Sequence, residues 1–117
     1  MTLMVTATAC SGAPAVKTGE AIGKRLSWVN DVASTDTEFL IQDSSPRVGE
    51  PASFNLSTSD PTEWIVVAIC ADDPHISSAG AAEISIIPRS AYTASVKVEV
   101  EEGEFRDAVT CEGLAHR

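Results

Sequence analysis

Apolar positions in this chain keep two different rhythms. Between Thr18 and Ala33, the residues Ile22, Leu26, Val29 and Ala33 recur at spacings of four, three and four, which places them on one face of a helix. Thr18 supplies a hydroxyl N-cap, Glu20 sits where the helix dipole favours a carboxylate, and Ser34-Thr35-Asp36-Thr37 closes the pattern. The spacing predicts a helix over 19–33, weakened slightly by Gly23. After Thr37 the helical rhythm is gone.

Short β-like runs follow. Phe39-Leu40-Ile41 is closed by Asp43-Ser44-Ser45-Pro46, and residues 52–57 alternate with Phe54 and Leu56 on one face. Residues 63–70 contain Trp64-Ile65-Val66-Val67-Ala68-Ile69, apolar on both faces, so this strand is expected at the centre of a sheet. Residues 83–87 form another run, ended by Pro88. Tyr92, Ala94, Val96, Val98 and Val100 then alternate with Thr93, Ser95, Lys97, Glu99 and Glu101, the cleanest period-two signal in the sequence. Glu101-Glu102-Gly103-Glu104 reads as a turn joining that strand to 105–111 in a hairpin. These elements predict an α+β fold, one N-terminal helix packed on an antiparallel sheet of about six short strands. An all-β immunoglobulin-like sandwich is the alternative.

Composition narrows the partners. The 117 residues suit one domain, and 44% hydrophobic content with only 5% aromatic requires a core of Val, Ile, Leu and Ala. A formal charge of −9 repels phosphate backbones and anionic headgroups, so nucleic acid is excluded as an expected partner. No cofactor motif is present, and no cofactor is expected.

The segment Ala7-Thr8-Ala9-Cys10-Ser11-Gly12, directly after Leu3-Met4-Val5, resembles the lipobox of bacterial lipoproteins. A small residue before the scissile bond admits the extended chain to a membrane peptidase, and the thiol after it accepts the lipid. The resemblance implies lipidation at Cys10, a leader remnant and flexible tether over 1–15, and a single small globular domain over 16–117. The expected location is the bacterial envelope, exported or secreted, with membrane contact through the lipid alone. Cys70 and Cys111 are then left as a candidate disulfide, each ending a strand-like run, with two separate buried thiols as the alternative.

A second resemblance lies within 20–87. Gly23, Leu26, Val29 and Val32, then Phe39 to Ser45 with Asp43 and Arg47, then Trp64-Ile65-Val66-Val67, are similar to the helix, strand and strand order of PASTA-like modules in actinobacterial envelope proteins. Such modules are non-catalytic and associated with cell-wall material. Cys70-Ala71-Asp72-Asp73-Pro74 replaces their usual Gln-x-Pro-x-x-Gly, so the resemblance carries architecture and no ligand.

Candidate chemistry is sparse. Asp72, Asp73 and His75 gather two carboxylates and an imidazole on one loop, weak candidates for a metal-dependent hydrolase, though a solvated turn accounts for them without a metal. Glu101, Glu102 and Glu104 crowd the predicted hairpin end, the surface an exported inhibitor or immunity-type protein would present to an enzyme. No Gly-x-Ser-x-Gly elbow accompanies the serines, and His75 and His116 fall in loop and tail. The sequence therefore points to a non-catalytic envelope protein that offers a small binding domain to a cell-wall component or a protein partner.

Overall fold

The computed structural model describes residues 15–117, which form two short helices and a three-stranded mixed sheet. Helix α1 spans Leu26–Val32, strand β1 Glu38–Asp43, β2 Trp64–Ala71, β3 Ala81–Pro88, and helix α2 Ala94–Glu101. The strand order is β1-β3-β2, with β1 parallel to β3 and β2 antiparallel to it. An antiparallel sheet of about six strands is therefore not what the chain builds, nor is a sandwich.

The sheet is the middle of three layers. Leu26 and Val29 of α1, with Ala21 from the 3-10 turn Thr18–Ala21, pack on the face carrying Trp64, Val66, Ile69, Ile84 and Ile86. Val100 of α2 and Phe105 pack on the other face against Ile65, Val67 and Ile87. A β-bulge between Val66 and Ala68 reconciles these sets. The extra residue lets neighbouring Val67 and Ala68 both serve the α2 side, while Val66 and Ile69 serve the α1 side.

Covering on both faces explains why every residue of β2 is buried. Its hydrogen-bonded position is nevertheless an edge. The centre belongs to β3, because only β3 has a strand on each side.

The expected 19–33 helix is split at Gly23, which has φ +87°. There the chain turns to exchange bonds with the edge of β2, and helical geometry resumes only at Leu26. Residues 52–57 hold turns rather than a strand, and 105–111 contain only the 3-10 turn Arg106–Ala108.

The segment with the cleanest alternation is helical. Two periods of two make a spacing of four, so Val96 and Val100 share a helix face as readily as a strand face. Val100 is buried and Val96 half-buried against the second core cluster, while Val98 between them is left 49% exposed. The Thr93 hydroxyl accepts the N–H of Val96 at 3.4 Å and caps the helix start. Packing beneath one helix face thus overrides the β preference of three valines.

Candidate functional site

Each outer strand of a sheet leaves a row of backbone N–H and C=O groups without ladder partners. At β2 that row is covered near both ends. Gly23 donates to the Val66 carbonyl at 2.8 Å, and Val66 donates back to Lys24 at 2.9 Å. Ala71 exchanges bonds of 2.7 and 3.0 Å with His116.

Strand β1 is different. Glu38 and Ser44 donate to the carbonyls of Gly80 and Ile86, at 3.0 and 2.8 Å, so the even-numbered N–H groups point towards β3. Alternation turns the backbone groups of Phe39 and Ile41 outward. Among the described residues none forms a backbone hydrogen bond with them on that side.

A hollow flanks this edge on each face of the sheet. On the α1 side, Phe39 and Ile41 form the floor of a hollow of about 400 Å³ whose walls are Asn30, Phe54 and Leu56. On the opposite side, Leu40 and Leu114 line one of about 310 Å³, edged by Glu38 and Glu112. Leu40 is 57% exposed and Leu56 78% exposed. Neither hollow is lined by a lysine or arginine.

Asp43, at the end of β1, positions the wall of the first hollow. One carboxylate oxygen accepts the N–H groups of Ser53 and Phe54 at 2.7 and 2.8 Å, and the other accepts the Ser45 N–H at 2.9 Å and the Ser45 hydroxyl. Burial pushes this carboxyl up, but the donated bonds outweigh it and hold its pKa below the ordinary 3.8. Phe54, so placed, meets Trp64 edge to face with ring centroids 5.1 Å apart. The Ser44 and Ser85 hydroxyls are hydrogen-bonded beneath the same turn.

Behind the edge, Glu83 of β3 is only 1% exposed. Its oxygens accept the N–H groups of Thr110 and Cys111 at 3.1 and 3.0 Å, the Thr110 hydroxyl at 3.0 Å and the Gln42 amide at 3.2 Å. Burial raises the pKa of this carboxyl, yet the bonds from Cys111, Thr110 and Gln42 lower it further, leaving it below the ordinary 4.5. Sequence reasoning passed over Glu83. The available signal was one charged residue inside the apolar run Ala81 to Ile87.

The residues singled out from sequence are dispersed. Cys10 lies outside the described residues. Cys70 and Cys111 form a disulfide, with Cα atoms 5.8 Å apart. The Asp72 carboxylate accepts the Gly80 N–H at 2.9 Å, and that of Asp73 accepts the His75 N–H at 2.8 Å, so both fold the loop between β2 and β3. His75 Nδ1 is 3.9 Å from Asp73. Among the described residues no three His, Cys, Asp or Glu side chains are grouped to hold a metal ion. Glu101 and Glu102 sit at the C-terminal end of α2, and Glu104 in the turn beyond, all exposed; the acidic hairpin end is replaced by a helix terminus. Among the described residues no helix is long and apolar enough to cross a membrane. In comparisons with known proteins, no family model, no curated protein and no solved structure matches the chain.

Proposed function

We propose that this protein is an exported, non-catalytic binding module, held at the outer face of a bacterial membrane by a lipid on Cys10, whose domain meets a protein of the envelope. The disulfide between Cys70 and Cys111 is the observation that carries the address. Such bonds persist in oxidising compartments and are rare where thiols are kept reduced. The lipobox-like residues around Cys10 supply the anchor, and the hollows beside β1, where Leu40 and Leu56 are exposed, supply a surface suited to a protein.

Two measurements in a bacterial host test the reading. An alkyne analogue of palmitate should label the wild type and not Cys10→Ser, and alkylation before reduction should leave Cys70 and Cys111 unmodified. Equal labelling of both chains removes the anchor. Free thiols at both positions in intact cells overturn export.

A further inference from the structure

We propose that β1 is a docking strand, to which an extended segment of the partner, with apolar residues alternating with lysine or arginine, adds as a fourth strand. The proposal rests on the binding-module reading above and names the chemistry of its partner. Three features of β1 and its surroundings converge. The outward backbone groups of Phe39 and Ile41 have no described partner, whereas the other edge, β2, is covered at Val66 and at Ala71. An added strand gains its affinity from bonds to such groups.

Successive side chains of an added strand point to opposite faces of the sheet. Each face beside β1 has a hollow to receive them. The one on the α1 side carries the apolar side chains of Phe39, Ile41, Phe54 and Leu56 beside Asn30. It accepts the apolar residues of the incoming strand. The hollow on the other side pairs Leu40 with Glu38 and Glu112, so it suits side chains with an apolar stem and a cationic head.

Charge selects among occupants. A second copy would bring another −9 to an edge already bearing Glu38 and Glu112, so self-pairing is opposed while a basic segment is drawn in. Partner choice would be read from the alternation of side chains, and strength from a short ladder reinforced by charge.

The test uses the full chain and an acetylated, amidated octapeptide of alternating valine and lysine. Controls are the same peptide with glutamate for lysine, and one N-methylated at alternate residues, which keeps the charge but lacks half the donors. Isothermal titration calorimetry should show the valine-lysine peptide binding at least tenfold tighter than either control. Amide exchange followed by NMR should slow at Phe39 and Ile41 on binding. Leu40→Lys should weaken binding tenfold or more, and Leu56→Ser severalfold, with thermal midpoints unchanged.

Equal binding of the N-methylated peptide would overturn the proposal, as would protection mapping away from β1. Protection of both amides before peptide is added would also overturn it: if it grows with protein concentration a second copy is the occupant, and if it does not the chain covers its own edge. Peptide failure with Cys10 labelled leaves the envelope address standing, whereas binding by an unlabelled chain leaves the docking edge standing without it.

Discussion

Glu83 and Cys111 are held together in two ways. The Glu83 carboxylate accepts the Cys111 N–H at 3.0 Å, while the Cys111 sulfur is bonded to Cys70, the residue opposite Glu83 across the β2 to β3 ladder. Cys111 has φ +59°, the only non-glycine with positive φ among the described residues, so its conformation is held by these contacts rather than preferred by its type. One covalent and one hydrogen-bonded fastening thus fix the C-terminal segment to the sheet.

Removing the hydrogen-bonded fastening should cost stability. Glu83→Leu takes the shared acceptor away from the partly buried Thr110 and Cys111 N–H groups, and the expected loss is about 1–3 kcal/mol. Glu83→Gln keeps one oxygen and should lose less. Urea unfolding followed by tryptophan fluorescence checks both, and an unchanged midpoint for Glu83→Leu would deny the carboxylate its role.

Acid should undo the same contact. Asp43 and Glu83 both have folded pKa values below their ordinary 3.8 and 4.5. Their contribution is complete above those ordinary values and is lost as pH falls through the lower folded ones. The difference in urea midpoint between wild type and Glu83→Gln should therefore be constant from pH 7 to about 5 and shrink below about 4. A difference that grows in acid contradicts the depressed carboxyl.

The covalent fastening spans a sequence separation of 41. Closing a loop of that size should stabilise the fold by about 4 kcal/mol in the chain-entropy account. Cys70→Ala with Cys111→Ala should lower the thermal midpoint by many degrees, and reductant should have no further effect on that variant. A midpoint equal to wild type would show that Glu83 alone holds the segment.

Val98 and Val100 separate the helix from the strand expected of their alternation. In α2 they lie on different faces, Val100 buried and Val98 half in solvent. Val98→Lys should change stability by no more than about 0.5 kcal/mol, and Val100→Ala should cost about 1–3 kcal/mol. Similar losses at both positions would place them on one face of a strand.

Which parts were legible follows from how local each signal is. Trp64 to Ala71 are apolar at every position, and few environments other than a strand covered on both faces suit eight such residues between Glu63 and Asp72. Whether that strand lies at the centre or the edge depends on which segment pairs beside it, and Gly23, Lys24 and His116 gave no sign of doing so. The alternation from Tyr92 to Val100 misled because Val96 and Val100 satisfy both periods, and the choice was made by Phe105 and Ile87 packing beneath the helix. Phe54 and Leu56 were expected on one face of a strand and instead wall a hollow, their placement set by Asp43. The pairing of Cys70 with Cys111 was legible as a candidate because only two cysteines were left after Cys10.

The parallel pairing of β1 with β3 sets when the exposed edge of β1 can form. Glu38 meets Ala81, and everything between them, β2 included, must be synthesised before that ladder can close. The β2 to β3 hairpin closes over a far shorter loop, so we expect it to form first and to serve as the template on which β1 settles last. Pulse-labelled hydrogen exchange during refolding should find Leu40 and Gln42 protected after Cys70 and Glu83, whose backbone groups face each other across the β2 to β3 ladder, and the reverse order would refute this. The strand proposed to dock a partner would then also be the first to loosen, so that occupancy of its edge would tighten the segment that folds last.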